Sequence, residues 1–216
     1  MTTYLDVVNN VLMRLREPVV TAVANNSYAK LIGVFVNDAK REIENAYDWN
    51  ALSSTITINT VADTYNYTLP TSKTRFRVVD ILNDTSNKFV NYQTTHWFNE
   101  QFLLQNPVKG SPDYYNFNGV DSSGDTQVDL YPIPNGAYTL RFNLTIPQPD
   151  ITVDSTRILV PAHIVAMLAY AKAIAERGED GGNLSSEAYA LYKSALSDAI
   201  AIERNHYLED MVWVTP

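Results

Sequence analysis

The feature that most constrains this chain is a change of hydrophobic period: helical spacing at both ends, and strand-like alternation through about a hundred residues between them, from Leu52 to Ile151. Each amphipathic end must bury its stripe, so the two ends pack together and the middle projects as an insertion. The expected fold class is therefore α+β, with a four-helix bundle formed by the N- and C-terminal helices and an inserted antiparallel β-rich domain. The expected boundaries are 1–51 with 152–207 for the bundle, 52–151 for the insertion and 208–216 for a C-terminal arm. Such an order describes a scaffold presenting a platform better than a catalytic cleft.

The first helix is expected from Thr3 to Leu15, with Leu5, Val8, Leu12 and Leu15 in register, and Glu17-Pro18 stops it. After Asn25-Asn26-Ser27 a stronger helix carries Tyr28, Ile32, Phe35, Ala39, Ile43 and Ala46 on one face. Lys30, Asp38, Lys40, Arg41 and Glu44 fall mostly opposite, and Trp49 is expected to pack just beyond the helix end. A third helix opens at Val160-Pro161 and runs to Gly178. Its many alanines allow close approach, which predicts a central position buried on most sides. Asn183 is the expected cap of a fourth helix that reaches Asn205, with Leu184, Ala188, Leu191 and Ala195 on one stripe and Tyr192, Leu196 and Ala199 on the next.

Between the helices, Thr55 to Asn59, Asp63 to Leu69, Arg75 to Leu82, Tyr114 to Asn118, Gln127 to Tyr131 and Ala137 to Ile146 read as strands. Turn residues separate them, including Asp121-Ser122-Ser123-Gly124-Asp125 and Pro134-Asn135-Gly136. His96 to Gln105, with Trp97, Phe98, Phe102 and Leu103, breaks the alternation and reads as a short helix or lid across the sheet.

Chemistry is sparse. The chain has no cysteine, which removes disulfides, thiolate zinc sites and cysteine nucleophiles. His96, His163 and His206 sit in different elements with no carboxylate at ligand spacing, so no metal site and no cofactor are expected. No nucleotide-binding, nucleophile-elbow or zinc-protease motif occurs, and no catalytic residue is singled out. No apolar run is long enough for a bilayer crossing, so no membrane partner is expected. A net charge of -8 without a basic stripe argues against a surface that grips DNA. The C-terminal Leu208, Met211, Val212, Trp213 and Val214 would form a sticky exposed segment unless their own domain or a partner covers them.

Four stretches carry a likeness to a known family: Val8 to Val19, Ala39-Lys40-Arg41-Glu42-Ile43 leading to Trp49, Leu130-Tyr131-Pro132-Ile133-Pro134, and Leu159-Val160-Pro161 before the alanine-rich helix. In this order they resemble the head-to-tail adaptors of tailed phages, closest to the tail tubular protein A type of short-tailed phages. The resemblance implies a non-enzymatic virion protein, made in the host cytoplasm, with about a dozen copies in a ring beneath the portal. It implies three partners: the portal protein, copies of the chain itself, and a downstream tail or nozzle protein. The ring would enclose double-stranded DNA without binding it specifically. By position, Leu208, Met211, Val212, Trp213 and Val214 correspond to the arm laid on the portal or a neighbouring subunit. Trp97, Tyr114, Tyr115 and Tyr131 are the tail-facing candidates in the β insertion. Two other readings stay open: a peptidoglycan hydrolase carried by the tail, and a carbohydrate-binding module using Tyr65, Tyr67, Tyr114, Tyr115 and Trp97.

Overall fold

The computed structural model describes residues 2–72, 75–178 and 182–205. The fold is α+β. In chain order the elements begin with α1 (Tyr4–Arg14) and α2 (Ser27–Ala46), followed by β1 (Ser53–Asn59), β2 (Asn66–Thr68), β3 (Arg77–Asn83), β4 (Lys88–Phe89) and β5 (Asn91–Tyr92). Then come α3 (Thr95–Asn99) with a π-helical turn at Glu100–Leu104, β6 (Lys109–Gly110), β7 (Tyr114–Val120), β8 (Thr126–Tyr131), β9 (Ile133–Pro134) and β10 (Thr139–Thr145). The last described elements are α4 (Ala162–Arg177) and α5 (Asn183–Arg204). Contacts divide it into two compact units, Met1–Leu52 with Pro147–Pro216, and Ser53–Ile146.

In the helical unit local chemistry sets the helix ends. Thr3 and Asp6 form a reciprocal capping box at the start of α1, and Asn26 accepts the Tyr28 N–H at 2.8 Å to open α2. Gly178, in the left-handed conformation at φ 64°, ends α4. Gly33 lets α1 and α2 approach, because a Cβ there would collide with the Tyr4 hydroxyl. As the alanines predict, α4 is central: it touches α1, α2 and α5, and Ile164, Val165, Ala166, Leu168, Ala169, Ala171, Ala173 and Ile174 are all buried. Trp49 lies in this core, where its indole N–H donates to the Ile43 carbonyl at 2.7 Å. Each buried large aliphatic side chain contributes about 1.5–3 kcal/mol of hydrophobic stabilisation.

Two expectations fail here. Lys40 and Glu44, assigned by periodicity to the polar face of α2, are both buried. The ammonium of Lys40 lies 3.3 Å from Glu44 and donates to the carbonyls of Gln148 and Pro149, while Glu44 accepts the Gln148 N–H at 3.2 Å. The segment returning from β10 crosses this face of α2 and covers it. Asn183 does not cap α5 either. Gly182, at φ 94°, is the cap residue, and its carbonyl accepts from the hydroxyls of Ser185 and Ser186 at 3.0 and 2.7 Å.

The β unit holds two four-stranded sheets and one two-stranded sheet, with orders β1-β10-β3-β4, β2-β8-β7-β5 and β6-β9. Most pairings are antiparallel; β5 with β7 and β6 with β9 are parallel. Strand alternation points Ile56, Ile58, Ile81, Leu140, Phe142 and Leu144 of the first large sheet into one core with Tyr115, Val128 and Leu130 of the second. On the outer face of the first sheet, Asn143 bridges Thr55 at 2.8 Å and Asp80 at 2.6 Å, and Arg141 donates to Asp84 at 2.7 Å. Asp121 closes the β7–β8 turn by accepting the N–H groups of Ser123 and Asp125 at 2.8 and 2.9 Å.

Candidate interaction surfaces

The outer face of the second sheet carries an aromatic cluster. Tyr114 and Tyr131 are cross-strand partners on β7 and β8. The segment α3 lies over them as the broken alternation predicts, with the Thr94 hydroxyl accepting the Trp97 N–H at its start. The Trp97 ring sits 4.9 Å from Tyr114 and 5.3 Å edge-on to Tyr131. Phe102 is 5.6 Å from Tyr131 and 4.8 Å from Tyr65, and the buried Phe98 joins both Trp97 and Phe102. Such tilted and edge-to-face contacts each add about 0.5–1.5 kcal/mol beyond the area they bury. The Tyr131 hydroxyl also accepts the Val108 N–H at 3.3 Å, and the Tyr131–Pro132 bond is cis.

This rigid base lifts two side chains that periodicity did not single out as surface contacts. Leu103 and Leu104, on the π-helical turn, are 76% and 81% exposed, and Val108 nearby is exposed as well. Pairs of bare leucines on an ordered turn favour contact with another protein. Of the four tail-facing candidates, Trp97, Tyr114 and Tyr131 come together in the cluster. Tyr115 points the other way, into the sandwich core, against Phe117 and Tyr92, and burial pushes its phenol pKa up. The five residues named for carbohydrate binding are divided in the same way. Tyr65, Trp97 and Tyr114 join the cluster, whereas Tyr67 packs on the core, its hydroxyl donating to the Thr64 carbonyl at 2.7 Å and accepting the Val61 N–H at 2.9 Å.

The helical unit is organised by the returning segment. Asn37 clasps Ile151, donating to its carbonyl at 3.0 Å and accepting its N–H at 2.8 Å, and Arg41 pairs with Asp150 at 2.9 Å. Further along, Thr156 and Asp154 accept the first free N–H groups of α1, from Tyr4 and Leu5. Asn9 grips Val20 with the same two-bond clasp, both at 2.9 Å. On α5 the first apolar stripe is divided, with Ala188 buried and Leu184 and Leu191 exposed, while the second packs inward. Tyr192 and Leu196 are buried, while Leu191 and Ile202 are 57% and 64% exposed. The arm residues Leu208, Met211, Val212, Trp213 and Val214 lie outside the described residues.

His96 and His163 are exposed in separate units, and His206 lies outside the described residues. Among the described residues no group of three or more His, Asp or Glu side chains could hold a metal ion, and no helix is long and apolar enough to cross a membrane. Among the described residues, the exposed apolar side chains include Leu103 and Leu104 beside the aromatic cluster in one unit and Leu191 and Ile202 on α5 in the other.

Comparison with known protein families matches residues 2–212 to the SU10 adaptor protein family. Comparison with curated proteins gives no match. The family match runs from the cap of α1 through both units and past the end of α5, in keeping with the likeness to phage head-to-tail adaptors in the sequence. The chain belongs to the SU10 adaptor protein family.

Proposed function

We propose that the protein is the head-to-tail adaptor of a phage virion, a structural component that forms a ring of about a dozen copies beneath the portal and joins the capsid to the tail. The observation that carries this reading is the family match over residues 2–212, which leaves neither unit outside the adaptor family. In this reading α1, α2, α4 and α5 act as a four-helix bundle that docks on the portal, with the exposed Leu191 and Ile202 of α5 and the arm at 208–216 serving the portal or a neighbouring subunit. The β unit faces the downstream tail or nozzle protein through the cluster of Trp97, Tyr114 and Tyr131 and the leucines it supports.

The ring encloses the DNA channel, and a net charge of -8 suits a passage that lets DNA slide without gripping it. The function requires no catalytic group and no cofactor. A mixing experiment tests it: purified protein is added to its cognate portal and examined by negative-stain microscopy and mass measurement. The expected result is a ring of added density on the portal with a defined copy number. A portal that stays bare at saturating protein refutes the reading.

A further inference from the structure

Open strand edges recruit other strands, and proteins usually guard them. In the β unit most edges are short: β2 has three residues, and β4 and β5 have two each. The part of β3 that β4 leaves uncovered carries Arg77 and a register shift beside Val79. Among the described residues the outer edge of β1 has no such protection. It pairs with β10 in unbroken register over seven residues, Ser53 to Asn59, with no charge, no proline and no bulge.

The direction of its free groups follows from the ladder. The Thr60 N–H donates to the Tyr138 carbonyl at 2.9 Å, and antiparallel alternation then turns the backbone groups of Ser54, Ile56 and Ile58 toward β10. Those of Ser53, Thr55, Thr57 and Asn59 point away from it, and all four residues are exposed. Side-chain bonds from Thr55 to Asn143 at 2.8 Å and from Thr139 to Asn59 at 2.9 Å hold the strand straight. A preorganised row of donors and acceptors of this kind is an acceptor for strand addition.

The chain carries a segment that fits. Eleven residues follow Asn205, and Met211-Val212-Trp213-Val214-Thr215 among them is uncharged, β-branched and aromatic. Residues 206–210 leave a tether of up to about 17 Å before it. We propose that the open edge of β1 accepts Met211–Thr215 of a second copy as an added strand. Donor and acceptor are different surfaces, so the contact is heterologous and passes from copy to copy until a ring closes. The choice of a second copy rests on the ring reading above; the acceptor edge rests on the geometry of β1.

Amide exchange in the full-length chain tests it, read by NMR at Thr55, Thr57 and Asn59 across a dilution series. As copies associate, these amides slow by about tenfold or more. A full-length variant carrying Val212→Pro and Val214→Pro, which lacks two of the required N–H donors, loses both the slowing and the association. Adding a synthetic peptide of residues 206–216 to that variant restores protection at the same three amides. Fast exchange with peptide present overturns the acceptor edge. Protection that is unchanged by dilution overturns the second-copy assignment. Rings that form with the three amides still fast overturn the strand contact while the adaptor reading stands. A bare portal together with peptide protection overturns the ring reading and keeps the acceptor edge.

Discussion

Among the described residues the helical unit buries an ion pair, Lys40 with Glu44, whereas three ion pairs of the β unit lie at its surface. Lys40 and Glu44 are buried beneath the returning segment, while Lys88–Asp113, Lys109–Asp63 and Arg141–Asp84 are all partly or largely exposed. The difference follows from backbone accounting. Strands satisfy their own carbonyls and N–H groups through the ladder, so the β unit needs no buried charge to do it. Once the chain leaves β10, the carbonyls of Gln148 and Pro149 have no ladder, and a lysine with three donors can serve both of them and a carboxylate together.

That contrast can be broken most forcefully at Lys40. Lys40→Met removes the cation beside the buried Glu44 carboxylate and is expected to cost about 3–5 kcal/mol in urea unfolding, with Lys40→Met/Glu44→Leu recovering most of the loss. If the single variant loses less than the surface change Arg141→Met, expected at under about 1 kcal/mol, the charge inside the helical unit is not what holds the return segment. In the β unit the corresponding interior support is aromatic. Phe98→Ala should cost about 3 kcal/mol and change the near-ultraviolet signal of Trp97, and an unaltered signal would show that the cluster is not one packed body.

A smaller effect in the helical unit is read by pH. Burial first, then Glu42 and Tyr189, pushes the Tyr192 phenol up to about 12. A raised phenol favours the folded state at neutral pH, and this contribution is lost as pH climbs through 10 toward 12. The loss is about 2–3 kcal/mol, read as the stability difference between the chain and Tyr192→Phe across that window. Parallel curves for the two would contradict the assignment. Smallest in stability is Leu103→Asp/Leu104→Asp, expected within about 0.5 kcal/mol of the unmodified chain because both side chains are exposed. Its effect should appear only in binding to the tail protein.

How far the sequence could be read follows the same divide. Periodicity located the four long helices and the six longer strands, and a break in the alternation located the short helix over the sheet. It put Lys40 and Glu44 on the wrong side of α2, since a helical wheel does not show a segment more than a hundred residues away in sequence folding over that face. Strands of two residues, such as β4, β5, β6 and β9, have no period to detect. Alternation along β7 does separate Tyr114 from Tyr115, so their opposite facing was legible once β7 was placed. Leu103 and Leu104 stood in the predicted lid, but only the π-helical turn shows that they point outward.

Cross-linking mass spectrometry on the portal–adaptor–tail assembly distinguishes the proposed connector, with one unit toward each partner, from any other arrangement. Portal cross-links are expected to fall on the helical unit, including Lys193 on α5, and tail-protein cross-links on the β unit, including Lys109 beside the exposed Val108. Portal cross-links concentrated on Lys109, or tail cross-links on Lys193, would contradict it.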